Sequence, residues 1–170
     1  MQGRCFYQQA LFKSKMLHVL QLFCDTCKDT CDGEAVPELH KELAGKRVLL
    51  VEDNELNREI AMTILHEYGF LVDIAENGAV AVEKIRTSDP GRYDLVLMDI
   101  QMPIMDGYAA ARAIRALPDA EKAGLPIVAM TANAFDEDRQ NAEKAGMNGH
   151  LSKPFDMQQL LTMLREKLSP

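Results

Sequence analysis

Short apolar runs recur along most of the chain, and each is followed by a segment with helical periodicity. The apolar runs predict strands near 46–51, 70–75, 94–98, 126–131 and 149–152. The periodic segments predict helices near 55–68, 77–87, 107–117, 136–145 and 156–167. Runs that are apolar throughout are typical of parallel strands buried on both faces, and short connections favour right-handed crossovers. The pattern therefore predicts a doubly wound α/β domain, with helices on both faces of a five-stranded parallel sheet.

The ends and faces of the predicted helices agree with this arrangement. Asn54 and Asp106 are suitable N-caps, and Gly69 and Gly146 suit helix C-termini, where a left-handed residue is common. Three helices carry an apolar or small-residue stripe that we expect to form core. The stripes consist of Leu56, Ile60, Thr63, Ile64 and Tyr68; of Val80, Val82 and Ile85; and of Ala109, Ala110, Ala113 and Ile114.

Polar side chains stand at the carboxyl ends of four predicted strands. They are Glu52 and Asp53, Asp99, Thr131, and Lys153. In an open parallel sheet the carboxyl ends of the strands meet at one edge, where ligands bind. Carboxylates packed together repel one another unless a cation lies between them. The pattern predicts a site for a hard divalent metal and a reacting phosphoryl group.

Magnesium is the metal that these oxygen ligands favour. It prefers octahedral oxygen coordination with one or two carboxylates, whereas zinc or iron would require histidine and cysteine. We expect Asp53 and Asp99 to bind the metal directly, with the backbone carbonyl of Gln101 as a third ligand. The longer side chain of Glu52 is expected to act through a bound water.

The same residues can carry out phosphoryl transfer. An aspartate can attack phosphorus and form an acyl phosphate, and the rest of catalysis is positioning and charge stabilisation. Asp99 supplies the attacking oxygen, Lys153 can pair with a phosphoryl oxygen, and Thr131 can donate its hydroxyl. Ala132 is small and leaves the approach open. Asp99 is therefore the predicted phosphoacceptor.

The net charge and the length of the apolar runs argue against binding to nucleic acid and against insertion into a membrane. The formal net charge of −7 argues against a nucleic-acid surface. The densest apolar run, Met16–Phe23, is far shorter than the roughly 20 residues that span a bilayer.

The periodic pattern of apolar residues is interrupted near residues 33–45. We expect residues 1–44 to form a partly helical extension with a linker, and residues 45–170 to form the domain.

The domain resembles the receiver domain of two-component response regulators over residues 46–168. The matching stretches are VLLVEDNELNREIA, DLVLMDIQMPIMDGYAAARAIR, PIVAMTAN and AGMNGHLSKPF. The resemblance implies a flavodoxin-like sheet of order 2-1-3-4-5. It also implies that Asp99 accepts phosphate from a phosphohistidine of a histidine kinase or a histidine phosphotransfer protein. Asp53 would bind Mg²⁺, or Mn²⁺ in its place, with help from Glu52. Thr131 and Lys153 match the switch hydroxyl and the lysine of the family.

Four further positions take their expected roles from the resemblance. His150 stands where the family often has a switching tyrosine or phenylalanine, and the peptide bond before Pro154 is expected to be cis. Gln101 and Asn133 stand where the rate of dephosphorylation is tuned. An amide at each position offers no strong general base, so the predicted phosphorylated state lasts for minutes or longer.

The amino-acid sequences of the motifs resemble most the receivers of hybrid sensor histidine kinases, so we expect this chain to be a fragment of such a kinase. The fragment is expected to be cytoplasmic, although the parent kinase could be anchored in a membrane. A stand-alone response regulator is the alternative. In either case the domain would catalyse only its own phosphorylation and dephosphorylation. A metal-dependent phosphatase of the haloacid dehalogenase type is disfavoured because Gln101 stands where a second acid is needed. A dimerisation module is also open, through an N-terminal helix or through the helices near 136–145 and 156–167.

The extension contains all four cysteines of the chain. Cys24, Cys27 and Cys31 have the spacing C-x₂-C-x₃-C, with Cys5, His18 and His40 elsewhere in the extension. A zinc or iron–sulfur site would need a well-placed fourth ligand. Incidental thiols in a reducing cytosol are the preferred interpretation.

Overall fold

The computed structural model describes residues 44–131, 136–153 and 162–163. The strands are β1 (Arg47–Val51), β2 (Leu71–Ala75), β3 (Leu95–Asp99), β4 (Ile127–Thr131) and β5 (Gly149–Ser152). The helices are α1 (Glu55–Glu67), α2 (Gly78–Thr87), α3 (Gly107–Arg115), α4 (Ala120–Ala123) and α5 (Asp136–Lys144). Several predictions fall outside the described residues: those for the extension through residue 43, for Ala132, for Asn133, for Pro154 and for most of the helix near 156–167.

The five strands form one parallel sheet in the order β2-β1-β3-β4-β5, as predicted. The short helix α4 was not predicted. A helix of four residues completes barely one turn and shows no periodicity. Its cap is nevertheless well formed, because the side chain of Asp119 accepts from the backbone N–H groups of Glu121 and Lys122.

The predicted helix ends are confirmed. The side chain of Asn54 accepts from the backbone N–H of Leu56 at 3.0 Å, and that of Asp106 accepts from Ala109 at 2.7 Å. Gly69 and Gly146 have φ of 81° and 84°, the left-handed region that favours glycine. These caps start and stop the helices where the connections to the strands require it.

The core lies on both faces of the sheet, because successive residues of a strand point to opposite sides. One layer contains Leu49, Val51, Val96, Met98, Ile127, Ala129, Ile85, Ala110 and Ile114. The other contains Val48, Leu50, Leu95, Leu97, Val128, Met130, Leu151, Ala61 and Leu65. Burial on both faces explains why these strands are apolar throughout.

The predicted apolar stripe of α1 is wrong in part. Leu56 and Ile60 are 43% and 41% exposed, and Thr63 is also exposed. The side chains that α1 buries against the sheet are Ala61 and Leu65. Adjacent helical residues are rotated by about 100°, so α1 has two neighbouring apolar rows, and the row that includes the small Ala61 faces inward. In α2, Ile85 is buried as predicted, but Val80 is 37% exposed.

Candidate functional site

The register of the sheet brings the predicted site residues to one edge. At the carboxyl ends, Val51 lies opposite Met98, and Asp99 lies opposite Met130. Thr131 ends β4 beside Ser152, and its carbonyl accepts from the backbone N–H of Lys153 at 2.8 Å. Glu52, Asp99, Thr131 and Lys153 therefore come from four strand ends that are neighbours in space.

The Lys153 ammonium lies between two buried carboxylates. It donates to Asp99 Oδ2 at 2.7 Å and to Glu52 Oε2 at 2.5 Å. Glu52 is only 1% exposed and Asp99 only 7%. The second oxygen of Asp99 accepts from the backbone N–H of Gln101 at 3.3 Å. Asp53, in contrast, is exposed at the mouth of the site.

Three carboxylates form a set that fits a divalent metal. One oxygen from each of Glu52, Asp53 and Asp99 lies within 4.8 Å of the others. A single ammonium leaves this group with an excess of negative charge, and hard oxygen ligands are those that Mg²⁺ prefers. Both oxygens of Glu52 and both oxygens of Asp99 already accept hydrogen bonds from protein groups, whereas Asp53 is exposed. The assignment of Asp53 and Asp99 as the direct metal ligands stays a prediction.

The pKa values of Asp99 and Lys153, the two partners of this ion pair, are both raised. Burial raises the pKa of Asp99, and the neighbouring charge of Glu52 adds to the rise, while Lys153 opposes it. Burial alone would lower the pKa of Lys153, but hydrogen bonds and charges from Asp99 and Glu52 outweigh it and raise that pKa. One ammonium pairs with two carboxylates, so the charged form of Lys153 is strongly stabilised. Because Asp99 shares that ammonium with Glu52, the negative charge of Asp99 is only partly compensated.

The first turn of α1 holds the acidic pair in place. Asn57 Nδ2 donates to Glu52 Oε1 at 2.9 Å. The guanidinium of Arg58 donates to the backbone carbonyls of Glu52 and Asp53 at 3.0 and 3.1 Å. Sequence reasoning missed both residues. Their position in the first helical turn after the acidic pair was the available signal.

The other predicted residues occupy less informative positions. Gln101 is exposed, with its backbone N–H directed at Asp99, and the role of its carbonyl as a metal ligand stays a prediction. Thr131 is buried at the end of β4. His150 is half-buried on β5, in register with Ala129, and its role as a switch residue also stays a prediction.

The loop between β3 and α3 is tightly constrained. A Cβ at Gly107 would lie 2.3 Å from the backbone oxygen of Asp99, so only glycine allows this close approach. Within the same loop, Ile104 has a φ of 70° and is 84% exposed. A β-branched residue in the left-handed region is strained, and strain of this kind is concentrated at functional sites.

A family model described as the response regulator receiver domain matches residues 48–165. The chain belongs to this family. A solved receiver domain, from a sensor histidine kinase of Pseudomonas aeruginosa PAO1, is 39% identical with a TM-score of 0.66. The likeness covers 75% of this chain and 100% of that one, which holds a magnesium ion in its active-site cleft.

Receiver domains of histidine kinases are among its relatives. A probable histidine kinase 4 of Oryza sativa subsp. japonica is 38% identical over 146 residues, which cover 75% of this chain and 14% of the kinase. Hybrid signal transduction histidine kinase M of Dictyostelium discoideum is 40% identical over 120 residues, 70% of this chain and 5% of that protein. The chain thus matches only a small part of these curated relatives.

A further solved relative was crystallised with a partner. The receiver domain of the Saccharomyces cerevisiae response regulator Ssk1, in complex with the histidine phosphotransfer protein Ypd1, is 30% identical with a TM-score of 0.65. The likeness covers 74% of this chain and 90% of that one.

No helix among the described residues of our chain has both the length and the apolar character needed to cross a bilayer.

Proposed function

We propose that this receiver domain accepts a phosphoryl group on Asp99, with Mg²⁺ as cofactor, from a phosphohistidine of a histidine kinase or a histidine phosphotransfer protein. The observation that supports this most strongly is the buried contact of Lys153 with Asp99 and Glu52, beside the exposed carboxylate of Asp53. A nucleophile, a cation for the phosphoryl oxygens and a metal-binding acid are thereby present together.

The chain's own residues account for the transfer step. The bond from Asp99 Oδ to phosphorus forms as the nitrogen–phosphorus bond of the donor breaks, and the bonding electron pair returns to the imidazole nitrogen. Lys153 follows the charge from the carboxylate to a phosphoryl oxygen, and the Thr131 hydroxyl donates to another. Asp53 and Asp99 would hold a divalent metal, which would neutralise part of that charge. Phosphorylation would then bias the domain between two conformations.

The partner is proposed to dock on an apolar surface at this end of the molecule. Leu56 and Ile60 expose their side chains on α1, the helix that follows Asp53, and Ile104 exposes its side chain in the loop that follows Asp99. Exposed apolar groups beside a reacting site favour contact with another protein. The yeast receiver crystallised with a phosphotransfer protein is consistent with a partner of that kind.

The parent molecule is proposed to be a hybrid sensor histidine kinase that acts in the cytoplasm, with residues 45–170 as its receiver. The kinase relatives support this origin. A stand-alone regulator is the second candidate, supported by the likeness to the Vibrio cholerae chemotaxis protein CheY4, at 30% identity and a TM-score of 0.65.

Uptake of phosphate from a small donor tests the proposal. With acetyl phosphate and Mg²⁺, the intact mass is expected to rise by about 80 daltons, the mass of one phosphoryl group. Chelation of the metal is expected to suppress the gain. Wild-type protein that gains no mass with both reagents present would refute the proposal.

Substitution of Ile104 by asparagine is expected to separate folding from docking. Asparagine tolerates the left-handed region, so the variant is expected to be more stable to urea by about 1 kcal/mol. It is also expected to bind the yeast phosphotransfer protein more weakly, because an exposed apolar contact is lost. Leu71→Asn is the matched control, since Leu71 is 46% exposed at the opposite end of the sheet. Equal losses of binding in both variants would contradict the docking surface.

A further inference from the structure

The orientation of the Glu52 carboxylate is fixed by two donors, one on each oxygen. Asn57 Nδ2 donates to Oε1 at 2.9 Å, and the Lys153 ammonium donates to Oε2. Glu52 is 1% exposed, so protein groups rather than bulk water must satisfy its oxygens. A carboxylate held at both oxygens presents a fixed acceptor to the lysine.

Asn57 is itself held in place. It lies in the first turn of α1, where its backbone N–H donates to the side chain of the N-cap residue Asn54 at 3.2 Å. Arg58, the next residue, donates to the backbone carbonyls of Glu52 and Asp53, whereas Asn57 donates to the side chain of Glu52. The helix start thus fixes the backbone of the acidic pair through one residue and the buried carboxylate through the other.

We propose that Asn57 is a positioning residue for phosphoryl transfer. By fixing Glu52, it keeps the Lys153 ammonium at Asp99, where the phosphoryl oxygens arrive. Without the amide, the Glu52 carboxylate can turn away and the ammonium loses one of its two fixed acceptors. This inference rests on the proposed function, and it assigns to Asn57 a role exerted only through Glu52.

Phosphorylation rates measured at saturating Mg²⁺ and acetyl phosphate test this role. Asn57→Ala is expected to slow the reaction by about tenfold, the lower range for loss of a residue that orients a ligand. Asn57→Asp, which keeps the size but faces Glu52 with a like charge, is expected to be slower still. Thr63→Ala is the matched control on α1, because the Thr63 hydroxyl donates only to the carbonyl of Glu59 within the helix.

A double-mutant cycle separates positioning from a general loss of structure. If Asn57 acts only through Glu52, Asn57→Ala is expected to cause no further slowing in a Glu52→Ala background. Additive losses in the cycle would overturn the proposal. Urea unfolding of each variant establishes that the rates refer to folded protein.

The lysine ammonium also provides a spectroscopic signature. In ¹H–¹⁵N spectra of lysine ammonium groups, the Lys153 signal is expected to broaden through faster solvent exchange in Asn57→Ala. The Lys46 signal is the internal control, since that ammonium donates to Asp94 at 2.9 Å and is expected to be unchanged. An unchanged Lys153 signal together with wild-type rates would refute the role of Asn57 alone. Failure of wild-type protein to accept phosphate would instead refute the proposed function.

Discussion

Replacement of Lys153 by methionine is expected to slow phosphoryl transfer to Asp99 by about a hundredfold while tightening Mg²⁺ binding by about tenfold. The transfer slows because the ammonium stabilises charge as it moves onto the phosphoryl oxygens, and loss of one such group commonly costs a factor of about 100. Mg²⁺ binds more tightly because a like charge at short range, worth on the order of 1–3 kcal/mol, is removed. Methionine retains most of the apolar stem.

The opposite signs of these two effects make the Lys153 experiment decisive. Calorimetric titration with Mg²⁺ gives the metal affinity, and phosphorylation at saturating metal gives the rate. Lys46→Met is the matched control, because it removes an ammonium that lies away from the site. That ammonium binds the Asp94 carboxylate, with 2.9 Å between Nζ and Oδ1. The control is expected to change neither quantity by more than about twofold. Weaker Mg²⁺ binding in Lys153→Met would contradict the arrangement of charges described here.

Replacement of Asp99 by asparagine is expected to abolish phosphate uptake and to stabilise the metal-free domain near neutral pH. Burial raises the pKa of Asp99, so the folded domain holds that proton more tightly than the unfolded chain does. Such a group favours folding below its unfolded pKa of about 4, and the benefit is lost as the pH rises through the folded pKa. Near neutral pH the ionised carboxylate therefore opposes folding, and asparagine removes that cost.

Urea unfolding in the presence of a chelator measures the effect of Asp99→Asn. The gain is expected to be of the order of 1 kcal/mol at pH 7 and to shrink as the pH approaches about 4. Asp94→Asn provides the contrast. Asp94 accepts from Lys46 and from the backbone N–H of Arg47, so that variant is expected to be less stable than wild type at pH 7. A lower stability of Asp99→Asn at pH 7 would contradict the charge balance of the site.

The sheet and the meeting of its polar strand ends could be predicted because both follow from short-range patterns. β3 is apolar up to Asp99, and the parallel register then places that residue at the same edge as Lys153. Which face of α1 packs inward could not be predicted, because Ala61 and Leu65 compete with an equally apolar neighbouring row. The choice depends on how the helix fits the sheet, which no local pattern encodes.

The partners of Glu52 were the other unpredictable feature. Sequence reasoning expected its carboxylate to act through a bound water, which stays a prediction, and it did not anticipate the hydrogen bonds from Lys153, 101 residues away, and from Asn57. That geometry depends on the side-chain rotamers of residues from β1, from α1 and from the segment after β5. A resemblance in motifs identifies the residues of such a site and leaves their hydrogen bonds undetermined.

Borohydride trapping is the most direct test that Asp99 carries the phosphoryl group. Protein treated with acetyl phosphate and Mg²⁺ is reduced with borohydride, which converts an aspartyl phosphate into homoserine, and its peptides are then sequenced by mass spectrometry. Homoserine is expected at position 99, with Asp53 unchanged. Homoserine at position 53, or a phosphate elsewhere that survives reduction while Asp99 stays intact, would contradict the assignment.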